Sequence, residues 1–319
     1  MRAMVIRRYG EPENFTMEDI EPPKPEPDEV LVRVHGSSVN PLDTGIRHGM
    51  LAAMIPLDFP AVLGVDVSGE VVALGATASR FSIGDRVYAY TGVGAGGGYG
   101  EFAAVAEQSL ARVPDTLDLV KAGSVPGVGA TAYEAFTVHA PLEPGMRVFI
   151  NGAAGGVGTF AIQVAKAMGA EVAGTCSTSK MDFVASLGAR ALDYSKGDPM
   201  SRKGGHDVVL NAVRGADESE LLTLLKRGGR LVTIVGSPDD LAQSKAGDLK
   251  RSAEVIPFFV SSKAACLEGL SRLIEQGKVK PVIEKTYALA DLPDAHRRVE
   301  TGRVAGKVCV DVKSAWQKP

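Results

Sequence analysis

The chain contains 319 residues, enough for two domains, and its 45% hydrophobic and 23% charged residues are an ordinary globular balance. Its formal net charge of −3 offers no global attraction to nucleic acid or to an anionic membrane, so neither is expected as a partner. No apolar run approaches the roughly 20 residues that span a bilayer, and three scattered cysteines indicate buried thiols in a reducing compartment, so we expect a cytoplasmic protein.

Short strands punctuated by Gly and Pro are predicted over residues 1–120, which indicates a compact, barrel-like β domain. The strand patterns cover 30–34, 65–74 and 86–90. A glycine tract at 92–100 follows the third of these strands, but no amphipathic helix follows the tract. Because an anion site of this kind needs a helix N-terminus, we predict a loop there rather than a phosphate site.

A strand, a glycine-rich turn and a helix are predicted within Arg147–Met168, the most informative stretch of the chain. An apolar run at 148–150 leads into glycines spaced G-x-x-G-x-x-G, from Gly152 to Gly158, and an apolar stripe of helical period follows them. A helix that begins on glycines presents bare backbone N–H groups, which suit the pyrophosphate of a dinucleotide. The alternative is a glycine-rich turn that serves only the close packing of helix on strand.

Strands and helices alternate over 121–277, with further strands predicted after the first one at 171–175, 191–192, 208–212, 230–235 and 254–260. About six strands joined by helices predict an α/β fold with a Rossmann-type, doubly wound parallel sheet. A closing helix is predicted at 263–277, and 304–312 is predicted to be a strand that returns to the first domain. The predicted domains are therefore residues 1–120 with 278–319, and residues 121–277.

The end of the second predicted Rossmann strand indicates which dinucleotide binds. An acid about 20 positions after the glycine turn binds the ribose of NAD, whereas a cation favours the 2′-phosphate of NADP. Here the segment 175–180, TCSTSK, carries four hydroxyls and one lysine, with no acid before Asp182. Such a set suits a phosphate group, so we predict NADPH as the cofactor. The alternative, in which Ser179 caps the next helix and Lys180 lies in solvent, is compatible with this prediction.

Several motifs spread over nearly the whole chain resemble those of one family. They are SVNPLD at Ser38–Asp43, GVDVSG at Gly64–Gly69, GDRV at Gly84–Val87, GATAY at Gly129–Tyr133, the Gly152 turn and GKV at Gly306–Val308. In these motifs the chain resembles the zinc-independent quinone oxidoreductases, the zeta-crystallin-like branch of the medium-chain dehydrogenase/reductase superfamily, and is similar to the reticulon-interacting oxidoreductase homologues. The resemblance implies a GroES-like catalytic domain, a Rossmann domain and a homodimer. The family's frequent tyrosine after Asp-Thr is Gly45 in this chain.

The resemblance also implies cofactor contacts along the turn and at neighbouring strand ends. Together with Gly152 and Ala154 of the turn, the predicted cofactor residues are Gly155, Gly156, Val157, Ser177, Lys180 and Tyr194. Around the nicotinamide, the resemblance implies Thr131, Gly236, Phe258 and Val260.

Metal ligands do not occupy the positions where zinc-dependent relatives carry them. Asn40 stands in place of the cysteine, and Val65 and Asp66 stand in place of the histidine–glutamate pair. The five histidines lack ligand spacing, so no metal is predicted. Without a Lewis acid, hydride transfer to an activated acceptor is easier than oxidation of a simple alcohol, because an enolate or hydroquinone anion spreads its charge.

These observations predict an NADPH-dependent, zinc-independent reductase of quinones or α,β-unsaturated carbonyls. The candidate catalytic residues are Asn40 and Tyr90 as hydrogen-bond donors, Asp43 as a proton relay and Lys307 as a positive charge. Structural roles are the alternatives, with Asn40 forming a turn before Pro41 and Asp43 anchoring the fold. The alternative functions are an enoyl-thioester reductase and a non-catalytic NADPH-binding sensor or structural protein.

Overall fold

The computed structural model describes residues 1–92, 94, 96–196, 204–235, 253–261 and 263–316. Contacts group the chain into two compact units. The first, called the β-rich unit, comprises Met1–Ala130, Ser261–Glu275 and Pro281–Pro319. The second, called the parallel-sheet unit, comprises Thr131–Val260 and Gln276–Lys280. None of the helices in the described ranges is long and apolar enough to cross a membrane.

The elements of the first part of the chain are mostly short strands. In order they are β1 (Arg2–Ile6), β2 (Thr16–Asp19), β3 (Glu29–Val39), α1 (Pro41–His48), β4 (Ala61–Val62), β5 (Asp66–Leu74), β6 (Arg86–Tyr90), β7 (Phe102–Ala106), β8 (Leu110–Arg112), α2 (Leu119–Ala122) and α3 (Pro126–Glu134).

Strands and helices then alternate, as the sequence predicts. The parallel-sheet unit continues with β9 (Arg147–Asn151), α4 (Gly156–Ala167), β10 (Glu171–Cys176), α5 (Met181–Ser186), β11 (Arg190–Asp193), β12 (His206–Asn211), α6 (Glu218–Thr223), β13 (Leu225–Thr233) and β14 (Glu254–Pro257). The chain returns to the β-rich unit with α7 (Ala264–Glu275), β15 (Ile283–Ala288), α8 (Leu292–Glu300) and β16 (Lys307–Asp311).

The parallel-sheet unit is built on six strands in the order β11-β10-β9-β12-β13-β14, and every neighbouring pair is parallel. The apolar run of β9 explains its central place, because Val148, Phe149 and Ile150 are all fully buried. Continuous burial of this kind is typical of a parallel strand covered on both faces. The predicted α/β, doubly wound sheet of about six strands is therefore confirmed. The last strand ends at Pro257, earlier than the predicted residue 260.

The β-rich unit contains a seven-stranded sheet in the order β15-β16-β3-β5-β6-β8, with β7 also paired to β3, and a three-stranded sheet in the order β2-β1-β4. Strand β16 pairs antiparallel with β3, so that Val308 lies opposite Val39. This pairing confirms the predicted return of the C-terminal strand to the first domain. The segment after the glycine tract at 92–100 is β7, a strand, so no helix N-terminus follows that tract.

Helix α7 belongs to the β-rich unit by its contacts, although the sequence analysis grouped 263–277 with the Rossmann domain. The Tyr88 hydroxyl of β6 forms a 2.7 Å hydrogen bond with the Ser271 hydroxyl of α7. The same serine donates to the carbonyl oxygen of Arg112, at the end of β8, at 3.3 Å. The proposed domain boundaries stay a prediction, because contacts group segments in space without showing which of them fold together.

Candidate functional site

The glycine-rich turn between β9 and α4 has a backbone that side chains would block. Gly152 has a φ of +90°, in the left-handed region, and a Cβ there would lie 2.9 Å from Cγ2 of Val213. A Cβ at Gly158 would overlap the carbonyl oxygen of Gly152. Glycine at these two positions therefore lets the turn approach the loop after β12 and lets α4 lie close to its own turn.

The N-terminus of α4 is free of side-chain caps. Gly155 is the N-cap residue in an extended conformation, and the first turn carries no acidic side chain. The first hydrogen bond of α4 runs from the Thr159 N–H to the Gly155 carbonyl oxygen, so the N–H groups of Gly156, Val157 and Gly158 have no acceptor within the helix. Unpaired donors and the positive end of the helix dipole favour an anion at this point. The predicted strand, turn and helix are confirmed.

The turn lies where the order of the sheet reverses. Strands β9 and β12 are neighbours, and the sheet extends from them to β10 and β11 on one side and to β13 and β14 on the other. In open parallel sheets, ligands bind in the crevice at the carboxyl ends of the strands at such a reversal. The near approach of Gly152 to Val213 shows that the two loops bordering this crevice are in contact.

A row of buried polar side chains crosses the carboxyl ends of four strands. The Thr175 hydroxyl accepts the Gly152 N–H at 3.0 Å and donates to Asn151 Oδ1 at 2.8 Å. Asn151 Nδ2 donates to Asn211 Oδ1 at 3.1 Å, and Asn211 Nδ2 donates to Thr233 Oγ1 at 3.4 Å. The row holds the first glycine of the turn against the sheet. Sequence reasoning missed it, although each of these residues is a polar residue near the end of an apolar strand.

The predicted cofactor residues beyond the turn follow other strand ends of the same edge. Ser177 follows β10, and Tyr194, whose N–H donates to the Cys176 carbonyl oxygen at 3.2 Å, follows β11. Phe258 follows β14 and is buried, with its ring centroid 4.2 Å from that of His139. Because the strands are parallel, their carboxyl ends lie along one edge of the sheet.

The structure describes two of the three other predicted cofactor positions. Thr131 is a buried residue of α3, and Val260 is half-buried beyond β14. Gly236 lies outside the described residues.

The turn after β10 uses its hydroxyls differently from the sequence-based interpretation. Thr175 points into the polar row, and the Thr178 hydroxyl donates to Asp193 Oδ2 at 2.6 Å. Ser177 and Ser179 pair with each other, with their hydroxyl oxygens 3.3 Å apart. The capping role suggested for Ser179 is wrong, because the N-cap residue of α5 is Lys180 and no side chain caps it.

Four polar side chains of the β-rich unit form one buried hydrogen-bond network: Asn40, Asp43, Asp66 and Lys307, none more than 7% exposed. Asn40 Nδ2 donates to Asp43 Oδ2 at 3.0 Å and to Asp66 Oδ2 at 2.8 Å. Lys307 Nζ donates to Asn40 Oδ1 at 2.6 Å and lies 3.8 Å from Asp66 Oδ2. The network therefore brings together three of the four predicted catalytic residues and adds Asp66, to which sequence reasoning gave no role.

The two carboxylates of this network also accept hydrogen bonds from backbone N–H groups. Asn40 is the N-cap residue of α1, and its backbone N–H donates to Asp43 Oδ2 at 2.9 Å. Asn40 therefore lies at the turn into α1, and its catalytic and turn-forming roles both stay predictions. Asp43 Oδ1 accepts the Val65 N–H at 3.1 Å, and Asp66 Oδ1 accepts the Gly127 N–H at 2.6 Å. The two carboxylates thus tie the start of α1, the start of β5 and the start of α3 to one another.

Burial dominates the electrostatics of the network. It raises the pKa of Asp43 to about 6, and the negative charge of Asp66 adds to this effect. Burial lowers the pKa of Lys307, against the attraction of Asp66 and Asp43. Burial also raises the pKa of Tyr90, with Asp66 and then Asp43 contributing, so its phenol stays protonated at neutral pH and keeps a proton to donate.

Comparison with known proteins identifies the family. A family model described as alcohol dehydrogenase GroES-like domain matches residues 26–115, and one described as zinc-binding dehydrogenase matches residues 187–310. The Bos taurus protein named NAD(P)H oxidoreductase RTN4IP1, mitochondrial, is 34% identical over 98% of this chain and 89% of its own length. The chain belongs to the quinone oxidoreductase-like branch of the medium-chain dehydrogenase/reductase superfamily.

Two other members of this branch support the assignment. The Arabidopsis thaliana chloroplast envelope quinone oxidoreductase homolog is 32% identical, over 91% of each chain. The structure of the quinone oxidoreductase from Coxiella burnetii, 28% identical, matches with a TM-score of 0.90 over 98% of this chain and 99% of that one. Together with the GroES-like family match, this similarity confirms the predicted combination of a GroES-like domain and a Rossmann domain.

Zinc independence, the homodimer and the cytoplasmic location stay predictions for this quinone oxidoreductase-like protein. In the part of the chain that the structure describes, no group of three or more His, Cys, Asp or Glu residues is arranged to hold a metal ion. The names of the two curated relatives place them in mitochondria and in the chloroplast envelope.

We expect Thr175→Val to weaken the hold of the polar row on the glycine turn. Valine keeps the shape of threonine but removes the hydroxyl that accepts the Gly152 N–H. With roughly 1 kcal/mol of hydrogen bonding lost, the Gly152 amide should exchange about fivefold faster with solvent deuterium, measured by NMR. Thr175→Ser, which retains the hydroxyl, is the control and should keep the original protection. Equal exchange rates in the valine and serine variants would contradict the role given to this hydroxyl.

We expect Asp43 to make stability fall with rising pH. Its pKa, raised by burial to about 6, lies above the value of 3.8 for an unperturbed side chain, so the folded state binds the proton more tightly. The resulting stabilisation is complete below the unfolded-state value and is lost as pH rises through the folded-state value. At about 1.4 kcal/mol for each pKa unit, the loss is about 3 kcal/mol.

Denaturant unfolding of the wild type and of Asp43→Asn between pH 4 and 7 measures this difference. The free energy of unfolding of the wild type should decrease relative to that of the variant across this window. Asp58→Asn removes an exposed carboxylate and serves as the control for charge alone. Parallel pH profiles for the wild type and Asp43→Asn would show that the buried carboxyl does not titrate as described.

Proposed function

We propose that this protein is an NADPH-dependent, zinc-independent reductase that transfers hydride to a quinone or an α,β-unsaturated carbonyl. The observation that carries the proposal is the unpaired N-terminus of α4 at the reversal point of a Rossmann sheet. It occurs in a chain whose relatives include proteins named NAD(P)H oxidoreductase and quinone oxidoreductase homolog. These names support a nicotinamide cofactor and a quinone acceptor.

The residues present fit a dinucleotide. The N–H groups of Gly156, Val157 and Gly158 are the donors that a diphosphate needs, and the glycine turn leaves room for close approach of the backbone. When bound, the nicotinamide supplies the hydride, and a proton from solvent completes reduction of the acceptor. The polar row from Thr175 to Thr233 holds the turn in place. The aromatic residue Phe258, whose ring packs against His139, follows the last strand of the same edge.

The preference for NADPH rests on the turn after β10. Lys180 is the only cation in the segment 175–180, and Ser177 precedes the short 3₁₀ turn that ends at this lysine. A lysine and a serine hydroxyl suit a phosphate group with two negative charges. We propose that these two residues, with Tyr194, contact the 2′-phosphate.

A small cleft in the β-rich unit, with a volume of about 30 Å³, is lined by Ile46, Leu57, Val62, Leu63, Gly64, Val65, Gly94 and Gly96. A cleft of this volume has room only for water, so it does not itself hold an acceptor. We propose that the acceptor binds against this apolar surface, because none of these residues is charged, which favours a quinone or enone ring over an acceptor with an anionic carrier arm. The alternative enoyl-thioester reductase would need cations to bind such an arm.

The four predicted catalytic residues divide into two roles in this proposal. Tyr90, kept protonated by burial, donates a hydrogen bond to developing negative charge. Asn40, Asp43 and Lys307 bond to one another and act as positioning residues, which fix the start of α1 beside the cleft residue Ile46. The positive charge of Lys307 balances part of the negative charge that the two carboxylates bring into the interior.

The test of the reaction is oxidation of NADPH against a panel of quinones, enones, enals, enoyl-thioesters and simple aldehydes, with and without a chelator. We expect turnover with quinones or enones, little with simple aldehydes, and no effect of the chelator. Loss of activity on chelation would contradict zinc independence. Tight binding of NADPH without turnover of any acceptor would favour a non-catalytic sensor.

We expect Lys180→Ala to raise the dissociation constant of NADPH and to leave that of NADH nearly unchanged. Loss of one charge-assisted contact, worth roughly 1.5–3 kcal/mol, corresponds to about 10- to 150-fold. Fluorescence titration of both nucleotides measures the two constants. Lys166→Ala, in the last turn of α4, is the control and should leave both constants unchanged. Equal weakening of NADPH and NADH by Lys180→Ala would refute the assignment.

A further inference from the structure

We propose that Asp193 is a specificity-determining residue that opposes Lys180, so that the balance between a carboxylate and an ammonium group sets the choice between NADH and NADPH. This inference rests on the proposed function and deepens it. The end of the second Rossmann strand, at 175–180, carries no acid, and an acid is instead supplied by the end of the neighbouring strand.

Strand pairing places Asp193 at the end of β10. Strands β10 and β11 are parallel, with Cys176 opposite Asp193 in the register. The turn that begins at Ser177 therefore leaves the sheet directly beside this aspartate. The Thr178 hydroxyl of the turn donates to Asp193 Oδ2 at 2.6 Å, so the carboxylate is bonded to the segment that includes Lys180.

The carboxylate is held in one orientation by its own strand end. Oδ1 accepts the Ser195 N–H at 2.9 Å and the Ser195 hydroxyl at 2.6 Å, while Oδ2 faces the turn. The hydrogen bonds from Ser195 and Thr178 lower the pKa of Asp193, and Lys196 adds a smaller attraction of the same sign. Its negative charge is therefore a constant part of the site at neutral pH.

Asp193 ends the third strand of the sheet, beside the second-strand end at which dinucleotide-binding folds distinguish their cofactors. A carboxylate at the end of the second strand accepts hydrogen bonds from the ribose hydroxyls of NADH. The same carboxylate repels a 2′-phosphate, which carries about two negative charges at neutral pH. Lys180 acts in the opposite direction on the same phosphate. The repulsion of the 2′-phosphate by Asp193 therefore offsets part of its attraction to Lys180. We expect the wild type to bind both nucleotides, with a moderate preference for NADPH.

The test is Asp193→Asn, which keeps an oxygen to accept from Ser195 and an amide to bond with Thr178 but removes the charge. Fluorescence titration gives the dissociation constants of NADPH and NADH on the same preparation, so their ratio does not depend on the active fraction. We expect the preference for NADPH to rise by about 3- to 10-fold, as for removal of one charge screened by water and salt. The rise should shrink as ionic strength increases.

Asp217→Asn is a closely matched control. Asp217 Oδ1 accepts the Ser219 N–H at 2.8 Å and the Ser219 hydroxyl at 2.6 Å, the same arrangement that Asp193 has with Ser195. This aspartate is the N-cap residue of α6 in the segment after β12, and none of the residues proposed to contact the 2′-phosphate lies in that segment. The ratio of the two dissociation constants should stay at its wild-type value in this variant.

The outcomes separate the two proposals. A wild type that binds both nucleotides, together with an unchanged or lowered NADPH preference in Asp193→Asn, overturns this inference and leaves the reductase proposal standing. An equal rise in Asp217→Asn also overturns it, because the effect would then follow from net charge alone. A wild type that binds neither nucleotide overturns both proposals.

Discussion

The arrangement of the candidate site in the parallel-sheet unit depends on the unpaired backbone N–H groups at the start of α4. They remain available because the turn before them consists of glycine and alanine and because no side chain caps the helix. The polar row fixes the conformation of the turn, because the Thr175 hydroxyl accepts the Gly152 N–H. A site for an anion thus results from backbone geometry, and neighbouring strands keep that geometry in place.

The β-rich unit contains buried charged side chains, which need hydrogen-bond partners. Two carboxylates and one ammonium group lie in its interior, where charge is costly unless it is hydrogen-bonded. Asn40 lies between them and uses both ends of its amide, one toward the carboxylates and one toward Lys307. Residues that resemble a catalytic set in the sequence are therefore hydrogen-bonded to each other, and together they hold the starts of α1 and β5 in position.

Much of the fold around the glycine turn could be predicted from local sequence patterns. The apolar run of β9, the glycines after it and the stripe along α4 are encoded within about 20 adjacent residues, because strand and helix periods are local properties. One alternative that failed, a cap by Ser179, depended on where a helix begins, and helix ends are set by hydrogen bonds that the sequence pattern does not show.

The sequence by itself determined the α/β class, the parallel sheet, the glycine turn between strand and helix and the family, because each depends on residues close together in the chain or on several motifs considered jointly. Only the tertiary structure decided that Asp66 completes the buried network and that Asp193 lies beside the turn after β10. Both are brought to their partners by strand pairing, and the hydrogen bonds between strands join residues whose separation in the chain carries no periodic signal.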